Sequence, residues 1–480
     1  MPSRGNDVFP TLQSCTRLGT GQTIFDVKFW PYATSNDEQI FAFTGGTDTL
    51  VCRPKLDADP PFEVLGWFQD EVNPVRAQDE PDAPLASLNS LAWAQDPRTK
   101  KPLLCVAGAE HKHIKILDIE SGDVVYTISG HGGAVHDLAV SPLSTSLIAS
   151  ASEDTTIRLW MIQPEADAAS CVAILAGEGH KAPVLAIHFH PNGKWLLSGG
   201  IDHAICLWAV PPLDKLSEKT TSEPLVVYYP HFFTKELHPN YVDSLAFYGN
   251  LILSKAARDQ DQQRVSNEII LWKITGFDAE EPPAERPPVP TPGSQTRSSF
   301  AHDEEYRGFH RLLTLDIPDT DRFYHRFGFY HCDDKRPILC MGDQRTRYSF
   351  WDLQRLEEGI DPLDRPKRRA ARRKKGSNVL SDLRKSERVA AGVSGQTSDS
   401  SSTVASSNAA PDSREYTLGE KFTPLKAHYR TTVNTSLLKQ GSVDGHFATS
   451  QIAWSPDGTW MVSVGDAGMM CIFHRDKQVV

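Results

Sequence analysis

The chain has 480 residues, a formal net charge of -11 at pH 7, 39% hydrophobic residues and ten tryptophans. Its length exceeds that of a usual single domain, but a fold in which every unit adds its own core reaches this size as one body. The acidic balance argues against a surface that is one nucleic-acid footprint, no apolar run is long enough to span a bilayer, and Met1–Pro10 has no apolar signal core, which places the chain inside the cell. Eight scattered cysteines without a CxxC pair point to buried thiols and give no zinc site or disulfide framework.

Taken in order, IFDVKFW (Ile24 to Trp30), QIFAFTGG (Gln39 to Gly46) and TLVCRP alternate as half-buried strands do and give three strands of a first unit. A second follows in SLNSLAW, PLLCVAG, HIKILDI and DVVYTI, where the HKH at His111 to His113 reads as a strand edge and not as a metal site. The third and fourth units run from Gly130 to Trp160 and from Gly179 to Trp208. Each has Gly-His, an alternating apolar run, a turn, a Ser, an Asp four residues on and a Trp six beyond that.

This is an internal repeat, and Gly-His at one end with Trp at the other is the signature of WD40 propeller blades. It predicts that His131, Ser150, Asp154 and Trp160 form one buried hydrogen-bonded set, and His180, Ser198, Asp202 and Trp208 the next. A catalytic Ser-His-Asp triad is a poor reading of residues that recur twice. The fifth unit, HPNYVDSLAFYGNLILSKAA with NEIILWKI, matches at His238, Ser254 and Trp272.

Residues 277–305, acidic and with six prolines, read as a disordered insertion. RFYHRFGF (Arg322 to Phe329), PILCMGD and YSFWDL then give strands of unit six. A second disordered insertion covers residues 359–413, basic at first and Ser-rich later; Arg365 to Lys375 has eight basic residues among eleven. The last unit, ending near Arg475, has only three strands, and the segment 1–21 is the donor that completes it, which joins the chain ends and removes the free edges. The expected architecture is therefore all-β, a seven-bladed WD40 β-propeller over residues 22–480 with disordered insertions.

The blocks GEGHKAPVLAIHFHPNGKWLLSGGIDHAICLWAV, LHPNYVDSLAFYGNLILSK, RFYHRF and LCMGDQRTRYSFWDL, with IFDVKF at the start, resemble the embryonic ectoderm development / extra sex combs family. The resemblance implies a non-catalytic subunit of Polycomb repressive complex 2 in the nucleus, which supports gene silencing by holding the histone methyltransferase subunit and reading trimethyl-lysine on histone tails. A quaternary ammonium has no hydrogen to donate, so aromatic faces must surround it. By match the cage residues are Phe25, Phe323 and Tyr324, and the peptide groove takes in Tyr241, Asp243 and Arg326. At the blade-two cage position the family pattern has a tyrosine, and this chain has Asn89.

The basic run, Lys367, Arg368, Arg369, Arg372, Arg373, Lys374 and Lys375, reads first as a nuclear import signal and second as a contact to nucleosomal DNA. No P-loop, HExxH or nucleophile elbow is present, so neither an enzyme nor a cofactor is expected. The competing function is a generic WD40 scaffold that binds an unmodified peptide.

Overall fold

The structure, a computed structural model, describes residues 8–19, 21–34, 36–56, 58–70, 87–108, 112–163, 168–257, 267–300, 308–332, 335–358, 424–433 and 446–476. Its strands fall into seven sheets, the blades of a propeller, each with four antiparallel strands; in blade three Leu225–Val227 adds a fifth, parallel to Ala168–Leu175. Blade one runs outward from Asp26–Phe29 through Phe41–Gly45 and Asp48–Pro54 to Phe62–Gln69. The innermost strands of blades two to seven are Leu88–Gln95, Val135–Val140, Val184–Phe189, Val242–Tyr248, Gly328–Tyr330 and Thr449–Trp454. Blade seven is completed by Thr11–Arg17, which pairs antiparallel with Met469–His474, Cys15 opposite Cys471 and Arg17 opposite Met469.

The repeated polar set explains why blades three and four take the same form. His131 Nδ1 lies 2.9 Å from the Asp154 carboxylate, its Nε2 lies 2.7 Å from Ser150 Oγ, and that hydroxyl accepts a hydrogen bond from Trp160 Nε1 at 2.7 Å. His180, Asp202, Ser198 and Trp208 repeat the arrangement at 3.0, 2.8 and 2.9 Å. Asp154 also accepts from the Thr156 N–H and hydroxyl, and Asp202 from the Ala204 N–H, so the same carboxylate shapes the turn between two strands. The glycine of the second Gly-His is required by space, because a Cβ on Gly179 would collide with the Trp208 indole. Apolar residues of neighbouring blades then share one core, as where Leu147 and Leu159 of blade three join Leu196 and Trp208 of blade four in a buried cluster.

Blade five keeps only part of the set. His238 Nε2 lies 2.7 Å from Ser254 Oγ, which accepts from Trp272 Nε1 at 2.9 Å, and no aspartate joins them among the described residues. Burial, aided by the positive charges of Arg311 and Lys255, pushes the His238 pKa down to about 3. His188 is likewise driven down by burial to about 4. Both are neutral in the folded ring, whereas in the unfolded chain they titrate near their ordinary value of about 6.5. As pH falls below that value the unfolded state takes up protons that the folded state refuses, so stability is lost from about pH 6.5 down towards the folded pKa values. Each group is expected to cost about 2 kcal/mol between pH 7 and pH 5. The fall in the urea midpoint over that range should therefore be smaller in His238→Gln than in the parent chain; equal falls in the two would assign the acid sensitivity elsewhere.

Three segments differ from the sequence reading. The Pro-rich stretch is not a disordered projection over residues 277–300. Phe277 and Phe300 pack on Trp195 with ring centroids 5.4 and 5.7 Å away, Ala279 accepts from Trp195 Nε1, and Thr296–Ser298 adds a fifth strand to blade four beside Phe232–Thr234. The outer strand of blade five, Phe309–Asp316, lies where the sequence analysis assigns no strand. Finally, of the stretch Arg322 to Phe329 read as a strand, only Gly328 and Phe329 are extended into the sheet, because Tyr324 has a left-handed backbone with φ of 56° that interrupts the pleat. Of the second insertion, residues 359–413, and the import signal within it, Lys367 to Lys375, every position lies outside the described residues.

Candidate functional site at the channel mouth

At the N-terminal ends of the inner strands, five blades share one irregularity. The pairing register slips between Leu88 and Ser90, Val135 and Asp137, Val184 and Ala186, Val242 and Ser244, and Thr449 and Gln451. The extra residue is therefore Asn89, His136, Leu185, Asp243 or Ser450. Such a bulge leaves one residue out of the ladder and re-aims its side chain, and here it brings residues from distant blades to one end of the channel. Phe25 reaches the same end just before the first inner strand, its N–H donating to the Thr44 carbonyl at 3.0 Å.

Four of the sequence-named residues meet there. Tyr324 is the hub: its ring centroid lies 5.9 Å from Phe25 and 4.3 Å from Phe323, both edge to face, and Phe323 lies 5.5 Å from Tyr241. Tyr324 is 9% exposed and Phe323 is 44% exposed, so the row runs from the channel wall out to solvent. The left-handed backbone at Tyr324 is what allows two consecutive aromatic side chains to contribute to one cluster.

Two contacts escaped the sequence reading. The Tyr324 hydroxyl lies 2.6 Å from His136 Nδ1 and 3.2 Å from Asn89 Nδ2. The signal for His136 was present: in VHDLAV it stands where Asn89 stands in LNSLAW. Burial lowers the His136 pKa, Arg326 acting in the same direction and Glu153 and Asp137 against it, so the ring is neutral near pH 7.

Asp243 and Arg326, which the resemblance places along a peptide groove, lie instead in the wall beneath the mouth. Asp243 is 1% exposed, and its carboxylate accepts from Lys255 Nζ at 3.0 and 3.2 Å. Arg326 donates to Asp137 at 3.0 Å and to the Leu185 carbonyl at 2.8 Å, with its guanidinium 5.4 Å from the Tyr324 ring centroid. Asp26 accepts the Leu91 N–H and Asp137 the Ile187 N–H, so carboxylates on blades one and three bind the backbones of blades two and four. Lys28 Nζ lies 3.4 Å from Asp26 and 3.9 Å from Asp137. Each buried acid thus faces a base, and the belt presents no unbalanced positive charge to a cation held above it. On its far side the channel opens into a cavity of about 640 Å³ lined by Tyr32, Trp93, His188, Phe329 and Trp454 among others.

A closed ring of seven blades, two of them holding the full His-Ser-Asp-Trp set, with aromatic rings from distant blades gathered at one mouth, defines a WD40 propeller. Comparison with known proteins agrees: the family "WD domain, G-beta repeat" matches residues 122–161, 169–209 and 438–474. The chain is 39% identical over 345 residues to Polycomb protein EED of Chaetomium thermophilum, a match taking in 70% of this chain but 57% of the length of that relative. It is 28% identical over 347 residues to Polycomb protein esc of Drosophila melanogaster, covering 69% of this chain and 70% of that one. A solved Chaetomium thermophilum Polycomb repressive complex 2 in complex with H3K27me3 contains a chain that superimposes with a TM-score of 0.73 at 30% identity, over 97% of this chain and 98% of that one. The chain belongs to the embryonic ectoderm development / extra sex combs family of non-catalytic Polycomb WD40 proteins.

Proposed function

We propose that this chain is the WD40 subunit of a nuclear, chromatin-associated Polycomb repressive complex 2, where it holds the methyltransferase subunit and reads methylated lysine on a histone tail, trimethyl-lysine included. The observation that carries the reading is the row Phe25, Tyr324, Phe323 and Tyr241 at one end of the channel. A methylated ammonium is poorly hydrated and gains from aromatic faces about 0.5–2 kcal/mol per well-placed ring. The neutralised belt below removes the repulsion that Arg326 alone would exert. A net charge of -11 favours approach of a basic tail. The solved complex that carries H3K27me3 supports the same assignment. Nuclear import through the basic run from Lys367 to Lys375, with nucleosomal DNA contact as its second role, completes the proposal.

Calorimetry with one histone-tail peptide in bare and trimethylated forms tests it. The parent chain should bind the methylated form more tightly, and Tyr324→Ala should reduce that preference about tenfold while the variant, melting lower for the loss of a buried ring, still unfolds in one cooperative transition above the temperature of the titration. Equal affinity of the parent chain for both forms would leave the generic scaffold as the function.

A further inference from the structure

In place of the family's blade-two tyrosine, the mouth carries a carboxamide with one unsatisfied end. Asn89 is 4% exposed, its Nδ2 faces the Tyr324 hydroxyl, and its Oδ1 accepts no hydrogen bond among the described residues. Asn89 Nδ2 donates to the Tyr324 hydroxyl, and the rest of the chain follows from counting hydrogens. A tyrosine hydroxyl has one. If it accepts from Asn89 Nδ2, its own hydrogen goes to the remaining neighbour, His136 Nδ1, 2.6 Å away. The neutral His136 ring offers a lone pair there when its proton sits on Nε2. The chain Asn89 to Tyr324 to His136 is then complete, and Oδ1 is left as a desolvated acceptor beside an aromatic cluster.

We infer that Asn89 makes this mouth a reader of lower methylation states, binding dimethyl-lysine at least as tightly as trimethyl-lysine. The inference rests on the methyl-lysine reading given above. Trimethyl-lysine gains only from aromatic faces, and here one face is missing. Dimethyl-lysine keeps an N–H on its positive nitrogen, and a hydrogen bond from a charged donor to a buried acceptor is among the stronger ones proteins make. A buried acceptor with no donor is costly, so the trimethylated form suffers twice: it loses a wall and leaves Oδ1 unpaired. Discrimination of this kind comes as much from the penalty on the wrong ligand as from the gain on the right one.

The experiment is calorimetry of the full chain with one histone-tail peptide in bare, dimethyl and trimethyl forms. The dimethyl form should bind the parent chain about three- to tenfold more tightly than the trimethyl form. Asn89→Tyr, which restores the ring and removes the acceptor, should reverse that order. Asn89→Asp, close to isosteric and folding even where the tyrosine does not fit, should widen the dimethyl preference. A parent chain that binds trimethyl-lysine severalfold more tightly than dimethyl-lysine overturns the inference and leaves the methyl-lysine reading standing. A parent chain indifferent to methylation overturns the reading itself.

Discussion

Asp243→Ala will lower the stability of the propeller by about 3–5 kcal/mol, because it strands the Lys255 ammonium in the interior without a counter-ion. Lys255 is 0% exposed and Asp243 is its carboxylate partner. Burial raises the Asp243 pKa and the neighbouring Lys255 opposes it, the mark of a charge kept inside by its partner. Urea unfolding followed by tryptophan fluorescence reads the loss directly. The double variant Asp243→Leu with Lys255→Met, which removes both charges, should recover most of it, since a buried ion pair exchanged for apolar residues is often close to neutral. The alternative role, an acidic contact to a basic tail in the groove, predicts the reverse pattern: stability within about 1 kcal/mol of the parent chain and weakened peptide binding.

That contrast shows where the amino-acid sequence was legible. The pairing of His131 with Asp154 and of His180 with Asp202 could be read because each set repeats at nearly fixed spacing, and repetition is a local property. The burial of Asp243 could not, because it depends on a bulge that swings the side chain towards Lys255, the cross-strand partner of Ser244. The same holds at Tyr324. Alternation in RFYHRF suggests a strand, and only the left-handed backbone at one residue, imposed by packing against Phe25 and His136, turns it into a corner. Composition misled at residues 277–300 for a different reason. Six prolines in 277–305 dominate the count, but three apolar anchors, Phe277, Ala279 and Phe300, suffice to tie the stretch to Trp195. The strand Phe309–Asp316 escaped because its burial does not alternate: Phe309, Thr314 and Leu315 are buried and the other five positions are half-buried. The aromatic positions, Phe25, Phe323, Tyr324 and Tyr241, came from family resemblance; nothing local separates them from ordinary core.

Removing residues 1–17 will have the largest effect on the whole molecule. Among the described residues, the strand Thr11–Arg17 is what pairs with the outer side of Met469–His474, whose other side pairs with Trp460–Gly465. Phe9, 3% exposed, stacks on Tyr429 at 5.4 Å and tilts against Phe350 at 5.9 Å, so the segment also seals the core between blades six and seven. Its loss exposes an apolar edge strand, MMCIFH, with a row of unpaired N–H and C=O groups, a template for joining another chain. The expected result is a thermal midpoint lower by about 10 °C or more, and light scattering that grows with concentration. A synthetic peptide covering residues 8–18, added in excess, should raise the midpoint again by mass action, since it binds the folded ring and not the unfolded chain. A truncated chain that stays monomeric and melts within about 2 °C of the parent would mean that the ring is held by contacts between blades alone, and that the strand shared between the chain ends contributes nothing to its closure.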